Sequence, residues 1–157
     1  ISSYNADSIE LVNAVGSVSV PKVRKAVFNK FKALGYRFAS VIHPSAIISP
    51  YAELAEGVQV MAGAVIQAGC CIDENVIINT SSSLDHDCHI GRHTHVAPGV
   101  TLSGGVTIGE SSHIGTGATL IQGIEIGREC LVAAGSVVIR NTNDGESVFG
   151  VPARIRK

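Results

Sequence analysis

From Ile42 onward every sixth residue is aliphatic: Ile42, Ile48, Leu54, Val60, Ile66, Ile72, Ile78, Leu84, Ile90, Val96, Leu102, Ile108, Ile114, Leu120, Ile126, Val132 and Val138. Aliphatic residues make up about 30% of an ordinary soluble chain, so an unbroken run of this kind is an internal repeat and not an accident. Four residues after each of the first sixteen stands a small, β-branched or Cys residue, from Ala46 and Ala52 through Cys70, Cys88 and Cys130 to Ser136. A large inward residue every six places, followed by a small one, fits short strands joined by tight turns. Glycines such as Gly57, Gly63, Gly69, Gly99 and Gly117 fall where the corners need positive φ. Three such strands per turn make a triangular prism, and the sixteen hexads amount to about five and a third coils stacked at about 4.8 Å.

The composition agrees. Ile and Val number 17 and 19 against 7 Leu, with 17 Gly and no Trp, which suits strands and turns and not a helical bundle. A net charge of −1 with 16% charged residues excludes a disordered chain and a polybasic nucleic-acid binder. The charge is divided, however: residues 1–41 carry 6 Lys and Arg against 2 acids, and residues 42–157 carry 6 against 11. Three segments are expected: a partial α/β unit over 1–41, the prism over 42–139 and a C-terminal tail over 140–157. In the first, Ser8 to Ser19 reads as strand and turn. Pro21 to Leu34 reads as a helix with Val23, Ala26, Val27, Phe31 and Leu34 on one face and Gly35 at its end. Tyr36 to Ile42 reads as a strand entering the prism. There is no apolar run of about 18 residues and no basic-then-apolar leader, so a cytoplasmic protein with no membrane span is expected. The only Met is Met61 and the chain opens at Ile1, so the sequence reads as a piece lacking its natural start.

A period of 18 puts residues into columns by subtraction. His86 lies under Gly104 on one corner, Pro98 under Thr116 and Ala134 on another, and His95 beside His113. His86 and His95 are half a coil apart, about 15 Å at roughly 3 Å per residue around the triangle. They can converge only across a subunit boundary, as in a parallel homotrimer of prisms, whose axial groove suits a long thin ligand such as coenzyme A.

The hexad pattern resembles that of the left-handed parallel β-helix acyltransferases, and this resemblance supplies the handedness. A closer likeness lies in Ile77-Ile78-Asn79-Thr80, Asp85-His86-Asp87-Cys88-His89-Ile90-Gly91, His95-Val96-Ala97-Pro98-Gly99-Val100 and Ser103-Gly104-Gly105, with Ile42-His43-Pro44-Ser45-Ala46 before them and Gly150-Val151-Pro152-Ala153-Arg154 after. These stretches resemble the NeuD/PglD family of bacterial sugar acetyltransferases over about residues 35–157. The resemblance implies acetyl-CoA-dependent acetylation of a sugar, either the 4-amino group of a nucleotide-linked 4-amino-6-deoxy sugar or a hydroxyl of sialic acid. It assigns His86 as general base, Asp87 as the acid that raises its basicity, His95 and Gly104 near the thioester, Thr116 and Ala134 along the CoA arm, and Asn79 on the acceptor side. It also implies an N-terminal α/β domain that binds the nucleotide sugar, of which residues 1–41 hold the latter part without a GxGxxG turn.

The residue types suit that chemistry. An attacking amine or hydroxyl loses a proton, and a His titrating near neutrality accepts it. Backbone N–H groups at Gly104 are suited to a thioester oxygen gaining charge. Cys88 falls at an inward hexad position and is not expected to be a nucleophile; all four cysteines read as reduced and structural. The cluster His86, His89, His93 and His95 superficially suggests zinc, but its members occupy different hexad positions, so no metal is expected. A zinc-dependent carbonic-anhydrase-like prism and a non-catalytic prism are the competing readings.

Overall fold

The structure, a computed structural model, describes residues 4–156. Ile1 to Ser3 and Lys157, the ends of the first and last expected segments, lie outside the described residues. The repeat folds as a left-handed parallel β-helix whose strands are two residues long and stack into three sheets. The first face has eight strands, among them Ile77–Ile78, His95–Val96, His113–Ile114 and Leu131–Val132. The second has six, including Ser83–Leu84 and Thr101–Leu102, and the third five, including Cys71–Ile72, His89–Ile90 and Thr107–Ile108. Registers such as Leu84 with Leu102 and His95 with His113 carry the 18-residue offset.

The hexad aliphatics form the core. Residues from Val60 to Val138 in the six-step series are at most 2% exposed, and the small residues four places on, including Cys70, Cys88 and Cys130, are buried with them. Ile42 departs from this, being 50% exposed, because no strand pairs with its own on the side away from the next coil. The four cysteines are free thiols, and Cys71 alone of them is exposed. Past Val138 the chain turns through residues 140–146 and lays Ser147–Phe149 on the first face at an offset of 16 residues. This brings Val148 into the core, and Arg154–Ile155 then pairs antiparallel beside it.

Residues 4–40 are built differently from the expectation. The strand expected across Ser8 to Ser19 is reduced to β1 (Glu10–Leu11), after a single 3₁₀ turn at Ala6–Ser8. The helix α1 spans Lys22–Ala33 with Pro21 as its N-cap residue, and β2 (Arg37–Phe38) pairs parallel with β1. The strand expected from Tyr36 to Ile42 is broken at Ala39 and Ser40, so Val41–Ile42 already belongs to the first face. The buried residues of α1 are Arg24 and Phe28, whereas Val23 and Leu34 of the expected apolar face stay 67% and 59% exposed.

The reason is the surface against which α1 docks: the corner between the third and first faces, which carries Gly57, Asn75, His93 and Ser111. The Phe28 ring packs at 4.5 Å from Phe38 and edge-on at 5.5 Å from His93. Lys32 and Lys25 reach Glu56 and Glu110 of the same corner at 2.6 and 2.8 Å. A buried polar network completes the contact. Asn13 donates to the Asn75 side chain, Asn75 bonds His93, and Arg24 donates to the backbone oxygens of Asn13, Val15 and Asn75. A helical apolar stripe read alone misses this, because the docking partner is polar. Among the described residues no helix is long and apolar enough to cross a membrane.

Candidate functional site

The corner between the second and third faces presents Asp85, His86 and Asp87. Asp85 Oδ1 accepts the His86 backbone N–H at 2.8 Å, and His86 Nδ1 donates to Asp87 Oδ2 at 2.8 Å. Nδ1 therefore carries a proton and Nε2 is left with its lone pair. Both side chains are largely exposed, at 55% and 71%. The hydrogen bond to Asp87 raises the His86 pKa above its ordinary value; desolvation opposes it, and the charges of Asp85 and Asp87 add to the rise. Gly104 sits one coil on, and its backbone makes room for the imidazole. A Cβ there would overlap Nε2 and lie 2.6 Å from Cε1.

The other expected residues gather on the first face and on its corner with the second. His95 is 7% exposed and is held from both sides. Asn79 Oδ1 accepts the Thr80 backbone N–H at 2.7 Å, which turns the Asn79 amide nitrogen toward His95 Nε2 at 3.0 Å. His95 Nδ1 faces the Ser17 carbonyl oxygen at 3.0 Å and the Ser17 hydroxyl at 2.9 Å. A carbonyl only accepts, so Nδ1 holds the proton and Nε2 accepts from Asn79. Burial, then the neighbouring His113, push the His95 pKa down to about 4, so the ring is neutral at physiological pH. His113 stacks edge-on at 5.0 Å, and its Nδ1 is buried without a partner among the described residues.

Beside this pair opens a cleft of about 450 Å³, lined by Val18, His95, Pro98, His113, Thr116 and Ala134 among others. The structure thus brings Asn79, His95, Thr116 and Ala134 into one neighbourhood and leaves His86, Asp87 and Gly104 on a different corner of the same chain. Ser17 and Val18 complete the first group, and no sequence signal marked them, since they lie outside the repeat. Of the remaining histidines, His93 is buried under Phe28, while His89 Nε2 lies 3.5 Å from Asp73. Among the described residues no group of three His, Cys, Asp or Glu side chains is arranged to hold a metal ion.

The buried imidazoles make stability depend on pH. Burial also pushes the His93 pKa down to about 4. An unfolded chain takes up these protons near pH 6.5, whereas the folded chain takes them up only near 4. The contribution of the neutral rings is therefore complete above about pH 6.5 and is lost as the pH falls toward 4, by on the order of 3 kcal/mol for each ring. Urea midpoints at pH 7.5 and pH 4.5 test this, the lower-pH midpoint being the smaller; equal midpoints would contradict it.

Comparison with known proteins follows the same lines. A family model described as bacterial transferase hexapeptide (six repeats) matches residues 105–140. The chain is similar to the acetyltransferase domain of PglB from Neisseria gonorrhoeae FA1090, with 38% identity and a TM-score of 0.93 over 98% of this chain and 74% of that one. PerB from Caulobacter crescentus, solved in complex with CoA and GDP-perosamine, gives 41% identity and a TM-score of 0.86 over 88% and 67% of the two chains. WeeI from Acinetobacter baumannii AYE gives 26% identity and a TM-score of 0.83 over 91% and 74%.

Proposed function

Because the chain belongs to the hexapeptide-repeat sugar acetyltransferases, we propose that it moves the acetyl group of acetyl-CoA onto the 4-amino group of a nucleotide-linked 4-amino-6-deoxy sugar, with His86 as general base. The observation that carries the assignment is the His86–Asp87 hydrogen bond on an exposed corner, which fixes the tautomer and leaves Nε2, lying over Gly104, as the accepting nitrogen. The amine nitrogen attacks the thioester carbonyl carbon while Nε2 takes its proton. The C–S bond then breaks, and the proton held on the imidazolium passes to the departing thiolate. Asp87 favours the imidazolium while it exists. No covalent acyl-enzyme is needed.

In this reading the cleft beside Thr116 and Ala134 takes the pantetheine arm of CoA, Gly104 and the neutral His95 lie near the thioester, and residues 4–40 contribute to the acceptor side. Since His86 and the cleft occupy different corners, the working site forms between two prisms of a parallel homotrimer. Support for the amino-sugar acceptor comes from PerB, whose complex holds CoA and GDP-perosamine. The experiment is a thiol-release assay with acetyl-CoA and three acceptors: a nucleotide 4-amino sugar, its hydroxyl analogue and sialic acid. Release is expected with the amino sugar only. Release with a hydroxyl acceptor alone would replace N-acetylation by O-acetylation, and release with none would remove the sugar reading.

A further inference from the structure

We propose that Gly69 is a positioning residue for the His86–Asp87 pair: lacking a side chain, it leaves the space in which the Asp87 carboxylate lies while it holds His86 Nδ1. The inference rests on the reading of His86 as base. Gly69 stands one coil before Asp87 on the same corner, and the Asp87 backbone N–H donates to the carbonyl of Ala68 at 3.0 Å. A Cβ on Gly69 would overlap Asp87 Oδ1 and lie 3.3 Å from its Cγ. The other oxygen, Oδ2, is the one bonded to His86. The carboxylate is thus seated over Gly69, just as the imidazole is seated over Gly104. The two glycines, on the coils before and after the pair, fix both of its members by absence of bulk.

The fold itself does not ask for glycine here. Gly69 has φ +74°, but the corner between the third and first faces stacks Asn75, His93, Ser111 and Glu129 on four successive coils, all at positive φ between 54° and 63°. Side chains can therefore stack at such corners from coil to coil. What sets Gly69 apart is its neighbour, because Asp87 bends back over the preceding coil. The atom met by an added Cβ is the end of a flexible side chain, so Ala at 69 is accommodated by moving the carboxylate off His86 and not by parting the coils. The titratable groups facing the ring are Asp87, Asp85 and the buried thiol of Cys70.

The test is the titration midpoint of His86, read by imidazole NMR on the free protein, together with kcat against pH. Gly69→Ala is expected to lower the midpoint as far as Asp87→Asn does. It should also reduce kcat by about tenfold or more, with its acidic limb shifted to lower pH. Gly123→Ala is the control for backbone strain. Gly123 lies on the same corner two coils beyond Asp87, has φ +69° and has open space around it, so its replacement should leave the midpoint unchanged. A midpoint unmoved by Gly69→Ala, or lowered equally by Gly123→Ala, overturns the proposal. Should Gly69→Ala fail to fold, the double variant Gly69→Ala/Asp87→Gly decides. Folding of the double variant supports a clash with the carboxylate, and failure to fold assigns Gly69 to the coil stack instead. If the unaltered protein transfers acetyl to no acceptor, the assignment of function fails while the titration still reads the pair.

Discussion

His86→Ala is expected to lower acetyl transfer by about 10²- to 10⁴-fold, the range ascribed to a positioned general base, while CoA binding stays as it was. The reasoning is local. His86 is on an exposed corner and takes no part in the core, so its removal leaves the neighbouring strands Ser83–Leu84 and His89–Ile90 paired on both sides. The cleft lined by Thr116 and Ala134 is on another corner and keeps its shape. Initial rates of thiol release, with CoA affinity by calorimetry, measure the two halves separately. Full activity in the variant would remove His86 from the mechanism, and a parallel loss of CoA affinity would make it a binding residue.

Arg24→Met is expected to free residues 4–40 from the prism without unfolding it. Arg24 is 1% exposed, and its guanidinium donates to the backbone oxygens of Val15 and Asn75 at 2.9 and 3.2 Å as well as to that of Asn13. Gln59 also donates to Asn13, so two carbonyls, those of Val15 and Asn75, lose their donor in the variant. At about 1 to 3 kcal/mol for each of these two groups left unpaired, the contact between α1 and the corner weakens by roughly 2 to 6 kcal/mol. Relief of the desolvated charge offsets part of this, since burial already pushes the Arg24 pKa down to about 10. Amide exchange should rise across residues 9–38 and remain slow in the strands of the second face. The KM for the acceptor should rise more than that for acetyl-CoA. Loss of protection throughout the prism would mean that the two parts fold as one unit.

The prism was legible because its physics is periodic. Two-residue strands and tight corners force a large residue inward every six places, so the interior, the 18-residue columns and the pairing of His86 with Gly104 follow from counting. The docking of α1 was not legible. Its apolar stripe points to Val23 and Leu34, but the surface that α1 meets offers Asn75, His93 and Glu56, so Arg24, Lys32 and Phe28 make the contact. The site was legible by halves. His86 with Asp87, and Thr116 with Ala134, sit at corner positions that counting reaches. Ser17, which holds His95, lies 78 residues away in the chain and outside any period. Asn79 was expected to face the acceptor; its hydrogen bond to His95 depends on side-chain reach between adjacent columns, which spacing does not encode.

Apart from the side contact of α1, each coil pairs strand to strand only with the coils above and below it, so the prism behaves as a one-dimensional stack in which opening starts at the ends and travels inward. Ser83–Leu84 is the third and Thr101–Leu102 the fourth of the six strands of the second face, so the corner carrying His86 and Gly104 belongs to the middle of the stack. Fraying from either end reaches it last. A chain that has lost order in its first or last coil therefore keeps the corner of His86 and Gly104 intact, and partial unfolding should open the cleft at Thr116 and Ala134 before it disturbs the His86–Asp87 pair.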